Sequence, residues 1–315
     1  MAVLFAYFSV VLIWATTPLT IQWSSDSLSF IAAVLLRMAI ALALGLIINL
    51  FLRRKLFGQK GAWHVYAAGA IGIFPNMPVV YWSAQFIPSG LVAVVFAMSP
   101  FVMGLMTLLV LKNNPFTIKR VFAFLLALTG LIIIFYHQFQ LNLHSVFGVA
   151  GILLSCVLFS FSSVLVKKLD VKVDAFNQAL GTLLFALPGL LLMWWLMDGQ
   201  IPLNISTKSI LAVGYLSIFG SLIGAALFFY VLASMSPTAV SLITFMTPVL
   251  ALILGGWIGQ ETLSMQLWVG AGLVVIALLL YLDLSSGHLV FTFLRREAWT
   301  DDGLQDAKRD YHRFK

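Results

Sequence analysis

Apolar stretches, each about long enough to cross a bilayer, follow one another along nearly the whole chain. They cover 2–21, 28–52, 63–86, 88–111, 117–137, 145–167, 174–197, 208–232, 237–258 and 264–283. About 20 apolar residues in helical form cross the hydrocarbon layer, so the pattern predicts ten spans. In lipid an open strand leaves its backbone N–H and C=O groups unpaired, and these runs lack the two-residue alternation of a barrel strand. Every span is therefore read as helix. Only 9% of residues are charged and mean hydropathy is +1.04, whereas soluble domains carry about 25% charged residues. The predicted fold class is an all-α membrane protein with no soluble domain of ordinary size. The first span has no basic leader and no A-x-A site after it, and is read as a retained helix.

Lysine and arginine concentrate on the cytoplasmic side of membrane proteins. With the N-terminus cytoplasmic, the inner loops carry Arg53, Arg54, Lys55, Lys60, Lys112, Lys119, Arg120, Lys167, Lys168 and Lys172, and the C-terminal tail carries six more. The outer loops carry only Lys208, and Arg37 falls inside a span. The basic residues thus report orientation rather than nucleic-acid binding, and they predict that both termini lie on the cytoplasmic side.

Two stretches echo each other. Tyr81, Ala84 and Pro88 are answered in step by Tyr230, Ala233 and Pro237, and Met98-Ser99-Pro100 is answered by Met246-Thr247-Pro248. This reads as an internal duplication, dividing the chain into a first five-helix repeat over 1–140, a second over 141–284 and a tail over 285–315. An odd number of spans per repeat sets the two copies in opposite orientation, the inverted-repeat arrangement of secondary transporters. In that arrangement the substrate site lies near the midplane, and access alternates between the two faces.

Arg37 lies ten residues past Ser27, about 15 Å along a helix. A charge that deep is unfavourable by about 2.5–3.5 kcal/mol on insertion scales, so it should face the protein interior or a wet cavity. Holding an anionic substrate group, gating, and a purely structural tie between helices all stay open for it. A polar and aromatic lining can be assembled from Trp14, Thr16, Thr17, Asn76, Tyr81, Trp82 and Gln85 in the first half. The second half offers Ser160, Ser163, Asn177, Gln178, Ser217, Ser221, Tyr230, Thr244 and Thr247. Of these, Trp14, Arg37, Asn76, Tyr81, Trp82, Ser163, Tyr230, Thr244 and Thr247 are the expected substrate-binding or gating residues. Pro100 and Pro248, in mid-span, each remove a helical hydrogen bond and are the expected hinges. Gly220 and Gly224 fit the G-x-x-x-G pattern of close helix contact.

What the spans lack is equally informative. Asp26, Asp198 and Glu261 fall at outer ends, Asp170 and Asp174 in an inner loop, and Asp283 at the last helix end. No buried carboxylate is available to relay protons against a cation, which favours zwitterionic, neutral or anionic cargo. The motifs H-E-x-x-H, G-x-S-x-G, G-x-x-x-x-G-K-[ST] and G-x-G-x-x-G are absent, so nucleotide hydrolysis and enzymatic chemistry lack support. The five histidines are scattered without metal-ligand spacing and Cys156 is alone, so no metal, cofactor or disulfide is expected. A membrane-embedded enzyme or lipid-handling scaffold would need a polar cluster at one face. A passive channel subunit is the other alternative.

Ten spans in two halves, Trp14 in the first, Leu36-Arg37 in the second and proline-centred fourth and ninth spans resemble the drug/metabolite transporter superfamily, in its EamA-type ten-helix branch. Gly259-Gln260-Glu261-Thr262-Leu263-Ser264, then Gln266, Gly270 and Gly272, is similar to that family's G-x-E-x-L-[ST] lead-in to the last helix. The first half departs from it, keeping only Thr117 and Gly130. Glu261 itself also reads as a helix-start acid favoured by the dipole. The resemblance implies secondary transport, often export, of small metabolites such as amino acids through a central cavity. Expected partners are a small-molecule substrate and the lipid bilayer, with a homodimer left open.

Overall fold

The structure, a computed structural model, describes residues 2–281 apart from 142, 201, 203, 235, 236, 262 and 263; the tail over 285–315 lies outside the described residues. Every regular element among them is helical: α1 (Ala2–Ser24), α2 (Phe30–Phe51), α3 (Ala62–Ala70), α4 (Asn76–Ser83), α5 (Ser89–Phe96), α6 (Ser99–Leu111) and α7 (Ile118–Leu141). After them come α8 (Leu143–Leu169), α9 (Ala175–Met197), α10 (Thr207–Tyr215), a π-helical segment (Leu216–Ile223), α11 (Gly224–Ser234), α12 (Pro237–Trp257) and α13 (Met265–Tyr281). Six stretches among the described residues are helical, long and apolar enough to cross a membrane: Val3–Ser24, Phe30–Phe51, Ser89–Leu111, His144–Leu169, Ala175–Met197 and Thr207–Val231. Large apolar side chains such as Phe5, Leu50, Phe51 and Trp257 stand exposed on the outside, where lipid rather than water would meet them.

Three of the predicted spans are not single α-helices. The third is divided into α3 and α4 by residues 71–75. Here Gly69, Gly72, Pro75 and Pro78 crowd one stretch, and proline supplies no N–H and pushes the residue before it away from helical geometry. At the break Gly72 N turns to Gly69 O (2.9 Å) and the Ala68 carbonyl takes a donor from Ser162 Oγ (2.8 Å), while within α3 Gln178 Nε2 also donates to Val65 O (3.2 Å). The fourth is divided into α5 and α6 just before Pro100, which sits in the first turn of α6, where no N–H is required. Ser99 Oγ donates to Phe96 O, the carbonyl that the missing proline N–H would have served. In the eighth, the middle turns widen into a π-helix. Pro248, by contrast, lies inside the continuous helix α12.

Helices α2 and α9 pack side by side and run antiparallel, tied at each end by polar groups. At one end the Ser29 hydroxyl caps α2 by accepting from Ala32 N and donates to Asp198 Oδ2, where α9 finishes. At the other, Asn49 Nδ2 donates to Asn177 Oδ1 (2.8 Å), and Arg54 pairs with Asp174 (2.8 Å), the N-cap of α9. Around this pair, α1 packs on α10, α11 and α12, and α8 packs on α3, α4, α5 and α6. Helices α7 and α13 pair along their lengths, brought close where Gly130 and Gly270 face each other.

Candidate functional site

A cavity of about 220 Å³ opens where α1, α2, α3, α4, α5, α8, α9, the π segment, α11 and α12 converge. No described residue of α7 or α13 lines it. Its wall is largely apolar and aromatic. The Trp14 ring lies 4.9 Å from that of Phe228 and 6.2 Å, edge-on, from Phe159, which in turn stands 5.5 Å from Phe96. Hydroxyls of Thr17, Ser162, Ser163, Thr182, Ser221 and Thr247 interrupt this surface. Thr17, Ser163 and Thr247 each donate to a carbonyl one turn back in their own helix, which satisfies the hydroxyl proton inside an apolar wall.

Arg37 is the one charged residue among the described lining residues. It is only 4% exposed. Its Nε donates to Ser221 Oγ (2.7 Å) and its Nη1 to Tyr81 Oη (3.3 Å). Ser221 in turn points at Met38 Sδ (3.5 Å), so its oxygen is left to accept from the guanidinium. The Tyr81 ring lies 6.0 Å from Arg37 Cζ, at the outer limit of a cation–π contact. The π-helical turns hold Gly220 against the same group: a Cβ there would stand 2.9 Å from Arg37 Nη2. A π segment is an uncommon backbone form, frequent at functional sites, and here Gly220 within it leaves the room that the guanidinium occupies.

Of the residues expected from sequence, Trp14, Arg37, Ser163 and Thr247 line the cavity. Tyr81 stands behind the wall, fully buried, and acts on the cavity only through Arg37. Asn76 is also buried, with Nδ2 bonded to Gly72 O (2.9 Å), and does not line the cavity. Trp82 and Tyr230 are 37% and 40% exposed and are not among the lining residues, so the tyrosine echo between the two halves does not place equivalent groups at the site. The side chain of Thr244 lies outside the described residues. Of the expected hinges, Pro100 marks a helix break and Pro248 does not.

The sequence reading missed Met38, Phe96, Phe159, Thr182 and Phe228, because apolar and small polar residues carry no contrast in a chain that is 62% hydrophobic. Gly220 and Gly224 both stand at helix contacts, as the G-x-x-x-G pattern suggests, but Gly220 meets Arg37 of α2 at the cavity wall while Gly224 meets Ile13 of α1. Glu261 does not serve the helix it precedes. Its carboxylate accepts from Ser89 N (2.9 Å) and Gly90 N (3.4 Å) and so caps α5 rather than α13.

Comparison with known proteins agrees with this architecture. The family model of the EamA-like transporter family matches residues 1–136 and again 146–282. The chain belongs to that family, which makes it a multi-pass membrane transporter and not an enzyme. It is 27% identical over 281 residues to the Escherichia coli (strain K12) protein named "Uncharacterized inner membrane transporter YedA", covering 87% of this chain and 89% of that one. It is 26% identical to Protein PecM of Dickeya dadantii, over 87% of this chain and 90% of the relative. An archaeal transporter from Archaeoglobus fulgidus is 24% identical over 84% of this chain and 93% of its own length. A solved crystal structure superimposes with a TM-score of 0.62 at 18% identity, over 90% of this chain and 97% of the other, a likeness of fold.

Proposed function

We propose that the chain is a secondary transporter of small, amino-acid-sized metabolites that works by alternating access across the inner membrane. Ten spans form two inverted five-helix repeats, and export is the direction that the family resemblance suggests. The first repeat is α1, α2, α3 with α4, α5 with α6, and α7; the second is α8, α9, α10 with the π segment and α11, α12, and α13.

The observation that carries this reading is that the main helix pairings find a counterpart when the two halves are exchanged, although α7 on α8 and α1 on α5 have no comparable one among the described residues. The contact of α1 with α10 and α11 becomes that of α8 with α3 and α4, and α1 on α12 becomes α8 on α5 and α6. The pairs α2–α9, α5–α12 and α7–α13 map onto themselves. The ionic ties follow the same exchange. Arg54, after α2, pairs with Asp174, before α9; Lys208, after α9, pairs with Asp26 (3.9 Å), before α2. One tie thus closes each end of the bundle, with the cavity between them and lining residues drawn from both halves. Two halves related by a half-turn in the membrane plane give one site two equivalent exits, the requirement for rocking between inward-open and outward-open forms. The distribution of basic residues supports a cytoplasmic location for the Arg54 end and both termini.

Reconstitution tests this directly. Purified protein in liposomes should move labelled amino acids or related metabolites without nucleotide. Absence of flux across a broad panel, with insertion verified, would refute the proposal.

A further inference from the structure

We infer that the cargo is an organic anion, a carboxylate carried on an apolar or aromatic body and lacking an ammonium group. The inference deepens the transporter reading and rests on it for calling the ligand cargo. A guanidinium has five N–H donors. Arg37 spends its Nε on Ser221 and one Nη1 bond on Tyr81, and no described residue accepts from Nη2, which lies over Gly220 at the cavity wall. Neither of the two partners carries charge, and no described carboxylate pairs with Arg37. A buried cation left with neutral hydroxyls is costly unless an anion completes it, and a planar guanidinium fork suits a carboxylate.

The rest of the wall sets the other half of the ligand. Trp14, Phe96, Phe159 and Phe228 offer ring faces and edges, the surface that takes an aromatic or branched apolar body. An empty apolar cavity of about 150 Å³ accepts a benzene; at about 220 Å³ this one has room for a ring and a short acidic arm. The same wall argues against an α-amino acid. Its ammonium would sit close to its own carboxylate and therefore close to Arg37. Among the described lining side chains it would meet hydroxyls and aromatic rings but no acid to set against Arg37.

Four compounds sharing one ring separate these chemistries: 3-phenylpropionate, phenylalanine, 2-phenylethylamine and 3-phenylpropan-1-ol. Equilibrium dialysis on the purified full chain in detergent, against protein-free micelles, reads binding; counterflow in proteoliposomes reads transport. Expected is binding of 3-phenylpropionate at least tenfold tighter than of the other three, lost tenfold or more in Arg37→Gln and partly kept in Arg37→Lys. The ranking in the unaltered protein holds the test even if a variant fails to fold. Equal binding of phenylalanine, or an Arg37→Gln protein that is folded and within twofold for the anion, overturns the inference. Flux of phenylalanine or the amine without the anion overturns it while transport stands. Selective binding of the anion with no flux of any compound upholds the site and overturns transport, and absence of both overturns both.

Discussion

Gly270 and Gly272 sit two residues apart on α13 and should answer the same substitution with opposite sign. A Cβ on Gly270 would stand 2.4 Å from Ile134 Cγ1 and 2.8 Å from the Gly130 carbonyl oxygen, whereas one on Gly272 meets nothing within 4 Å. Ile134 is 1% exposed and has no open side to turn toward, and the carbonyl belongs to the backbone of α7. Overpacking a tight interface costs about 1–3 kcal/mol, while replacing a helical glycine by alanine returns about 1 kcal/mol. With the nearest contact so far inside van der Waals separation, Gly270→Ala falls at the upper part of that cost, a net loss of about 1–2 kcal/mol. Gly272→Ala keeps the propensity gain and should be neutral or up to about 1 kcal/mol more stable. Gly130→Ala meets Gly270 O at 2.7 Å and should resemble Gly270→Ala. The double variant should lose less than the sum, since the two helices part only once. Heating detergent-solubilised protein and measuring the monodisperse fraction by size-exclusion chromatography reads the ranking. A Gly270→Ala protein as heat-resistant as Gly272→Ala would refute the close α7–α13 contact.

Other expectations follow from single contacts. Glu261→Ala removes the carboxylate that caps α5 at Ser89 and Gly90 and should cost about 0.5–2 kcal/mol in the same heating assay, with Glu261→Gln, which keeps one acceptor oxygen, falling between. Ser99→Ala leaves the Phe96 carbonyl beside Pro100 with only the distant Cys156 thiol (3.9 Å) as donor and should cost about 1–3 kcal/mol, more than Thr107→Ala, whose hydroxyl bonds a carbonyl within unbroken helix. Asp174→Asn and Asp26→Asn each remove one half-exposed ion pair, and each should change stability by no more than about 1 kcal/mol, shrinking with added salt. A larger, salt-independent loss at either position would contradict the exposed geometry.

Much of the fold is legible in the sequence because lipid leaves so few options. Helical character follows from the apolar runs alone, and the position of Arg37 from its depth within one. The helix breaks were not legible from hydropathy, since an apolar window reads the same whether its backbone is α, π or interrupted; Gly72, Pro75 and Pro100 hold that information locally. At the site, the buried charge and Trp14 stood out, while Phe159, Phe228 and Thr182 look like any other residue of a hydrophobic chain. Glu261 shows a further limit. Its place in the sequence suggests service to the following helix, but tertiary packing delivers its carboxylate to the exposed N–H groups of α5 instead. Local signals identify groups that need a partner, and only the fold chooses which partner.

The central claim is that two five-span halves lie inverted about the cavity, and cysteine labelling tests it most directly. Cys156 is fully buried, so single cysteines introduced at Lys60, Lys168 and Lys208 can be compared in a Cys156→Ser background with a membrane-impermeant maleimide. Position 208 should react from outside in intact cells, while 60 and 168 should react together, only after the membrane is opened. Positions 60 and 168 reacting on opposite faces would contradict it.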